Sequence, residues 1–227
     1  MDAFFYLFPY SICERSGSVT VLRKNPSVVY WLGDKLYLNI TNRCSNDCYF
    51  CLRRFKDGVR GFNLKLRGEP SSKEVVAELQ KGIRRKLWKE VVFCGFGEPL
   101  MRLDCILEVT SWVKRFHEKV VRVDTNGHGF LLNAGRDVVR ELREAHVDRV
   151  SVSLNAQDEE TYNRVCRPKF QGAFEKIFEF VEKAKEVGLE IEITVVRIPE
   201  VDVREVREIA KRREVEFRVR EYIPCIW

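Results

Sequence analysis

The sequence predicts an α/β fold, and three observations support this prediction. Short apolar runs of the length of buried strands recur from residue 36 onward. The segments between them carry apolar residues at the three- and four-residue spacing of amphipathic helices. No internal repeat or low-complexity segment interrupts this alternation. Because such units are joined by right-handed crossovers, the strands are expected to form one parallel sheet, although periodicity leaves open whether it closes.

Six strands are predicted, and the last two have the clearest pattern. Every second residue is apolar over residues 189–195 and again over residues 215–219, as expected for strands with one buried face. The first four are short apolar runs, and the second of them ends at Gly95. In chain order the predicted strands cover residues 36–40, 90–94, 120–124, 149–154, 189–195 and 215–219.

Six helices are predicted to follow or connect these strands. The first begins at Ser71, because Ser71 and Glu74 have the spacing of a capping box. Gly188 ends the helix that begins near residue 173. In chain order the predicted helices cover residues 71–83, 103–116, 133–145, 158–165, 173–187 and 203–209.

Length and composition favour one domain. A chain of 227 residues with 45% hydrophobic content can bury one substantial core. We assign residues 36–221 to this core, residues 1–35 to an N-terminal extension and residues 222–227 to a C-terminal tail. The 33% of charged residues and the scarcity of glutamine are typical of thermophilic proteins. The net charge of +6 is modest for this length.

Cysteine use and the N-terminal sequence favour a cytoplasmic protein without a membrane segment. Three of the eight cysteines lie in one short loop and the others are scattered, unlike a secreted disulfide framework. The apolar run from Phe4 to Cys13 is interrupted by Pro9. It is about half as long as the roughly 20 residues that span a bilayer. It also lacks the basic start of a signal peptide.

Cys44, Cys48 and Cys51 form a compact set of candidate metal ligands directly after the first predicted strand. Soft thiolates select zinc, copper(I) or iron–sulfur clusters, and a structural zinc site normally has a fourth Cys or His ligand. None stands nearby in the sequence, so a zinc site would need a distant ligand such as His128. A 4Fe–4S cluster held by three cysteines instead leaves one iron open to a small molecule.

Two motifs resemble those of the radical S-adenosylmethionine (SAM) superfamily. The first is Cys-x3-Cys-x2-Cys with the aromatic residue Phe50 before its last cysteine. The second is Phe-Cys-Gly-Phe-Gly-Glu-Pro at residues 93–99, which is similar to the Gly-Gly-Glu-Pro motif of the family, with Phe96 in place of its first glycine. The resemblance covers about residues 28–227. Together with Asn-Ile-Thr-Asn-Arg-Cys at residues 39–44, the second motif is most like the TatD-associated branch.

The resemblance implies a fold and a set of cofactor contacts. The fold is the partial (βα)6 barrel of the radical SAM type, with parallel strands and the site at their carboxyl ends. The implied cluster ligands are Cys44, Cys48 and Cys51, and the implied SAM contacts are Phe50, Gly95, Gly97, Glu98, Asn126, Ser153, Asn155 and Arg197. Arg164 is the alternative to Arg197 as the arginine that holds the SAM carboxylate. Ordinary strand-to-helix turns are the alternative explanation for the glycine-containing segments.

The roles of three contacts are also implied by the family. Glu98 would hold the amino group of SAM. Ser153 and Asn155 resemble the Ser-Leu-Asp-Ala stretch with which relatives contact the ribose and the carboxylate of SAM. Because Asn155 replaces the aspartate, it keeps a hydrogen-bonding group and loses the charge.

The activity implied by the resemblance is reductive cleavage of SAM at a 4Fe–4S cluster, giving a 5′-deoxyadenosyl radical that abstracts hydrogen from an unknown substrate. Such an oxidoreductase needs an external electron donor, a ferredoxin or a flavodoxin. A glycyl-radical-enzyme activase is the alternative within the enzymes, since the chain is small. A non-catalytic iron–sulfur or zinc-binding module is the alternative outside them, and it would need neither Glu98 nor Ser153.

A basic segment interleaved with Phe55 and Phe62 follows the cysteine loop and predicts a charged rim to the site. Its residues are Arg53, Arg54, Lys56, Arg60, Lys65 and Arg67. Such a rim would suit a small anionic molecule or a peptide as substrate more than RNA, although solvated surface charge also explains it.

Polar loop residues and one tail cysteine complete the candidates. Asn42, Arg43 and Asn46 could donate hydrogen bonds to cluster sulfurs and so tune the reduction potential. Cys225, in the C-terminal tail, is a candidate catalytic hydrogen-atom donor if the tail folds over the barrel mouth. The alternative is that this tail is an apolar plug.

Overall fold

The computed structural model describes residues 25–84 and 87–222, and its strands belong to two sheets. In chain order the strands are β1 (Val29–Leu32), β2 (Lys35–Leu38), β3 (Gly58–Val59), β4 (Phe62–Asn63), β5 (Glu90–Phe93), β6 (Val120–Thr125), β7 (Arg149–Ser153), β8 (Glu190–Arg197) and β9 (Glu216–Glu221). The main sheet has the strand order β1-β2-β5-β6-β7-β8-β9, and β3 pairs with β4 in a separate hairpin.

Six strands of the main sheet run parallel, and each pairs with the next strand of this sheet along the chain. Strand β1 is antiparallel and lies at the edge beside β2. Because the strand order follows the chain order, the sheet winds in one direction and curls into a partial barrel. The predicted α/β fold, a partial (βα)6 barrel with parallel strands, is confirmed.

Helices cover the outer face of the sheet. In chain order they are α1 (Ser72–Ile83), α2 (Leu103–His117), α3 (Gly129–Leu132), α4 (Val138–Glu144), α5 (Glu159–Cys166), α6 (Ala173–Glu186) and α7 (Val203–Arg212). The predicted capping box is confirmed, since the Glu74 N–H donates to the Ser71 hydroxyl and the Ser71 N–H donates to the Glu74 carboxylate. Within the described ranges no helix has the length and apolar character needed to cross a membrane.

The single helix predicted over residues 133–145 is wrong, because the chain forms α3 and α4 with a turn between them. The amide of Asn133 donates to the carbonyl oxygens of Leu100 and Gly129, which ends α3. Gly135 has a φ of +81°, which helical residues do not adopt. Asp137 then caps α4 by accepting from the Arg140 N–H.

The main sheet begins inside the segment that was assigned to an N-terminal extension. Tyr30 of β1 pairs with Tyr37 of β2, and the two rings stack with their centroids 5.1 Å apart. The two strands are joined by the two-residue turn Gly33-Asp34, where Gly33 has a φ of +60°. Within the described residues, the main sheet therefore begins at Val29.

A small apolar cluster fixes the β3–β4 hairpin next to the cysteine loop. Its buried members are Tyr30, Phe62, Leu64 and Phe96. The edge of Phe62 packs on Trp31 with 4.7 Å between ring centroids. Phe62 is therefore part of the core, and the prediction that it belongs to an exposed rim is wrong.

Candidate active site

A cavity of about 440 Å³ opens at the carboxyl ends of the parallel strands and collects nearly all the predicted site residues. Arg197 is the exception and lies outside it. The predicted residues that line this cavity are Cys44, Cys48, Phe50, Cys51, Gly95, Gly97, Glu98, Asn126, Ser153 and Asn155. The topology explains this convergence, because the segments that follow parallel strands meet at one edge of the sheet.

Two arginines of the basic segment hold the cysteine loop in shape. The Arg53 guanidinium donates to the carbonyl oxygens of Asn42 and Asn46, at 3.2 and 2.9 Å. Arg54 donates to the Cys48 carbonyl oxygen at 3.0 Å and also pairs with Asp47. These two side chains therefore support the loop backbone, and their role in holding an anionic substrate stays a prediction.

The loop is also tied to the end of α5. The Asp47 N–H donates to the Cys166 carbonyl oxygen at 3.0 Å, and the Tyr49 N–H donates to that of Val165 at 3.2 Å. These two backbone hydrogen bonds fasten the segment around Cys48 to α5.

The environments of the three loop thiols differ. Burial raises the pKa of the Cys44 thiol to about 12 and also raises that of Cys51. A hydrogen bond from the Cys166 thiol lowers the pKa of Cys48. Metal ligation by such thiols releases their protons, because the thiolate is the ligand.

Both ring nitrogens of His128 make hydrogen bonds, so neither is available to bind zinc. Its Nδ1 lies 3.0 Å from the Ser45 hydroxyl and its Nε2 lies 2.9 Å from the Tyr162 hydroxyl. The imidazole is fully buried. Both ring nitrogens are thus engaged, so the alternative in which His128 completes a zinc site is not supported. Across the described part of the chain, no three His, Cys, Asp or Glu side chains form a group that could hold one metal ion.

The glycines of the second motif are required by close packing against the cysteine loop. A Cβ atom on Gly97 would lie 2.4 Å from the Arg43 carbonyl oxygen and 2.5 Å from that of Thr41. A Cβ atom on Gly95 would lie 2.1 Å from the Asn39 side-chain oxygen. The Glu98 N–H donates to the Arg43 carbonyl oxygen at 2.8 Å. The two motifs are therefore packed into one unit.

Glu98 is buried and joins two turns at the cavity wall. One carboxylate oxygen accepts from the Leu100 N–H and the Thr125 hydroxyl, at 3.1 and 2.8 Å, and the other accepts from the Asn126 N–H at 2.7 Å. Burial raises the pKa of Glu98 to about 7 despite these hydrogen bonds. A cationic amine in the cavity would favour the ionised carboxylate.

Arg220 of β9 is the site residue that the sequence interpretation missed. Its guanidinium donates to the Ser153 hydroxyl at 3.0 Å and to the Asn155 side-chain oxygen at 3.3 Å. Its Nε atom is buried without a hydrogen-bond partner, and no carboxylate of the described ranges forms an ion pair with it. A half-buried guanidinium whose Nε is shielded from water and lacks a partner is suited to bind an anion.

The two arginines chosen from the sequence do not line the cavity. Arg197 is exposed and pairs with Glu221 at 3.1 Å. Arg164 is exposed on α5, 3.6 Å from Glu160. Position 220 lies on the polar side of β9, but this pattern alone does not distinguish a strand face toward the barrel interior from one toward solvent.

Charged side chains line the interior of the partial barrel beneath the segments that contain the cysteine and glycine motifs. Arg122 pairs with Asp124 at 2.8 Å, and Arg218 pairs with Glu192 at 2.6 Å. The Cys94 thiol also lines the cavity, where burial raises its pKa. Cys225, the other cysteine considered for chemistry, lies outside the described residues.

The fold and this cavity define a partial-barrel protein with three loop thiols beside a glycine-rich turn and a buried carboxylate. The family model of the radical SAM superfamily matches residues 38–212. The chain belongs to the radical SAM superfamily, a family of enzymes whose cofactors are a 4Fe–4S cluster and SAM. The superfamily predicted from the two motifs is confirmed.

Curated relatives include GTP 3′,8-cyclases. The chain is 30% identical to that of Aliarcobacter butzleri over 84% of its own length and 55% of the relative. It is 30% identical to the probable GTP 3′,8-cyclase of Saccharolobus solfataricus over 69% of its own length and 45% of the relative. The chain thus spans about half the length of the curated relatives it matches.

Solved structures of low sequence identity share the fold. SuiB of Streptococcus suis bound to S-adenosylmethionine has a TM-score of 0.65 and 15% identity, over 85% of this chain and 41% of that one. Methylornithine synthase has a TM-score of 0.59 and 14% identity, over 84% of this chain and 53% of that one.

Proposed function

We propose that Cys44, Cys48 and Cys51 hold one 4Fe–4S cluster, at which the protein reductively cleaves SAM. The observation that carries this proposal is the packing of the three-thiol loop onto the turn that ends at Glu98, around one cavity. The donor set fits the cluster, since soft thiolates are its usual ligands. When both cofactors are bound, they supply one electron transfer and a 5′-deoxyadenosyl radical for hydrogen abstraction.

The cavity residues fit the parts of SAM. The glycine turn lets the backbone approach closely, and Glu98 offers a carboxylate to the amino group. Ser153 and Asn155 offer hydrogen bonds to the ribose. In place of Arg197 we assign the SAM carboxylate to Arg220, whose guanidinium lies beside them with a free Nε donor. Phe50 and Asn126 complete the wall beside the cluster ligands.

The substrate that we propose is a small anionic molecule, with GTP as the first candidate. The curated relatives named GTP 3′,8-cyclase support GTP. The interior arginines Arg122 and Arg218, which line the same cavity, would suit phosphate groups. The activase alternative would require a protein substrate, and the TatD-associated branch stays a prediction from the two motifs. Enzyme family membership counts against a non-catalytic module.

Anaerobically reconstituted protein with dithionite and SAM is expected to form 5′-deoxyadenosine slowly, and GTP is expected to accelerate this reaction. The physical reason is that a bound substrate excludes water and traps the radical. Chromatography of 5′-deoxyadenosine and methionine measures both rates. Formation without GTP stimulation would contradict GTP as substrate, and no formation at all would contradict the proposed reaction.

The electron donor, which we propose to be a ferredoxin or a flavodoxin, has a candidate docking surface next to the cluster loop. We call this the basic surface: Phe55, which is 42% exposed, with the exposed residues Lys56, Arg60 and Arg67. These three cations have no carboxylate partner within the described ranges, whereas Arg54 and Lys65 are paired. Phe55 is only four residues beyond Cys51, so an acidic carrier on this surface would be close to the cluster.

Reversing the charge of Lys56, Arg60 and Arg67 together to glutamate is expected to raise the KM for reduced flavodoxin by roughly tenfold or more, since each lost attraction weakens docking. The dithionite-driven rate should be unchanged, because dithionite needs no docking surface. The control is reversal of three exposed cations on the outer helices, Lys73, Lys183 and Arg212. An equal rise in the KM for reduced flavodoxin in both triple variants would show that only net charge matters. It would contradict docking at the basic surface.

A further inference from the structure

A fourth cysteine, Cys166 at the end of α5, lies opposite Cys48 of the cysteine loop. Asn46 and Pro168 form an antiparallel bridge, and counting two residues onward from Asn46 and two back from Pro168 gives Cys48 and Cys166. The two backbone hydrogen bonds that fasten the segment around Cys48 to α5 keep this register. Residues opposite each other in antiparallel segments have Cα atoms about 4.5 to 5.5 Å apart. Disulfide-bonded cysteines span a range that includes this distance, about 4.4 to 6.8 Å.

The side chains of these two cysteines also face each other. The Cys166 thiol donates a hydrogen bond to the Cys48 sulfur, so no other group separates the two sulfur atoms. Both cysteines are free thiols. The three loop thiols do not converge on one point in this way, since no group able to hold one metal ion is found in the described part of the chain. Cys166 is therefore the thiol that is placed to bond to Cys48 when no metal is bound.

The two cysteines differ in their access to solutes. Cys48 lines the cavity and is partly exposed, whereas Cys166 is fully buried. A small oxidant that enters the cavity therefore meets the Cys48 sulfur first. The first oxidation product of a thiol is a sulfenic acid, which condenses with an adjacent thiol to a disulfide. Without such a thiol, further oxidation gives sulfinic and sulfonic acids, which thiol reductants do not reverse.

We propose that Cys48 and Cys166 form a disulfide when hydrogen peroxide reaches the protein after cluster loss, and that this bond preserves Cys48 for a new cluster. The inference rests on the proposed function, since a bound cluster would occupy the Cys48 sulfur. Hydrogen peroxide oxidises the Cys48 thiol to a sulfenic acid and is itself reduced to water. The Cys166 sulfur then attacks the Cys48 sulfur, the S–S bond forms, and the sulfenic hydroxyl leaves as water with the thiol proton. Exchange with a thiol reductant restores both cysteines.

The first test maps the disulfides of the native protein and needs no variant. The cluster is removed anaerobically with an iron chelator, and one equivalent of hydrogen peroxide is added. Trypsin then releases residues 44–53, with the three loop cysteines, and residues 165–169, in which Cys166 is the sole cysteine. Mass spectrometry is expected to find these two peptides joined, with fragmentation placing the bond at Cys48. A disulfide within residues 44–53 as the main product would overturn the proposal.

The second test compares the recovery of the cluster in Cys166→Ala and Cys105→Ala. Cys105 is the matched control, because it is a buried thiol of α2 that does not line the cavity. Each protein is reconstituted, stripped of its cluster, treated with excess hydrogen peroxide, reduced with dithiothreitol and reconstituted again. Iron and sulfide are measured before and after this cycle, and recovery is the ratio of the two contents.

The native protein and Cys105→Ala are expected to recover most of their initial cluster. Cys166→Ala is expected to recover roughly threefold less or lower, with sulfonic acid at Cys48, because its sulfenic acid has no adjacent thiol. Equal recovery in Cys166→Ala and the native protein would overturn the protective role. A native protein that never binds a cluster would overturn the proposed function instead, and the disulfide map distinguishes the two failures because it is made without a cluster.

Discussion

Replacing Cys44, Cys48 and Cys51 together by alanine is expected to abolish the 4Fe–4S cluster and all 5′-deoxyadenosine formation. The three thiols are the soft ligands that the cavity offers to the iron atoms at this loop. The fold should survive, because the loop is held by Arg53 and by backbone bonds to α5. Iron and sulfide analysis measures the cluster, and circular dichroism measures the fold.

Cys94→Ala is the control for this triple variant, because Cys94 lines the same cavity without belonging to the loop. It is expected to keep full iron and sulfide content. Wild-type levels of iron and sulfide in the triple variant would contradict the ligand assignment. Stoichiometric zinc without sulfide in anaerobically purified native protein would contradict the whole radical SAM interpretation of this site.

Arg220→Leu is expected to weaken SAM binding by roughly 10- to 100-fold, since a hydrogen bond to a charged group contributes about 1.5 to 3 kcal/mol. In the folded protein Arg220 is a half-buried guanidinium with a free Nε donor beside Ser153 and Asn155. Equilibrium dialysis of SAM with the reconstituted protein measures the dissociation constant. Cluster content should remain that of the native protein, because Arg220 does not support the cysteine loop.

Arg197→Leu is the matched control, since Arg197 is exposed and pairs with Glu221. Its SAM affinity should equal that of the native protein. Weaker binding in Arg197→Leu with unchanged binding in Arg220→Leu would reverse the assignment in favour of the residue chosen from the sequence. If both variants bind SAM as tightly as the native protein does, neither arginine holds the carboxylate of SAM.

Local patterns in the sequence predicted most of the fold, and the failures have identifiable causes. Strand alternation and helical spacing depend on neighbouring residues, so six parallel strands could be predicted. The break near Gly135 was missed because apolar spacing continues across it, although the glycine adopts a φ that ends the helix. Strand β1 was missed because its tyrosine and tryptophan do not alternate with polar residues.

The candidate site likewise contains residues that the sequence predicted and residues that it did not. Residues within the two motifs could be found, because each motif is continuous in the sequence and its members line one cavity. Arg220 could not be found from the sequence. A strand has the same two-residue alternation whether its polar face lies toward a barrel interior or toward solvent. The structural role of the basic segment was also missed. A charge pattern does not reveal that Arg53 and Arg54 bind backbone carbonyl oxygens of the preceding loop.

The sequential strand order has a consequence for how the protein is made. Each parallel strand pairs with the strand of the main sheet that precedes it in the chain, so the sheet can grow from its N-terminal side during synthesis. The cysteine loop and the glycine turn belong to the earliest parts of that sheet, whereas Arg220 belongs to its last strand. With the proposed ligands, cluster ligation is expected to be possible before the barrel is finished. With the SAM carboxylate assigned to Arg220, full SAM affinity is expected only after β9 has joined the sheet.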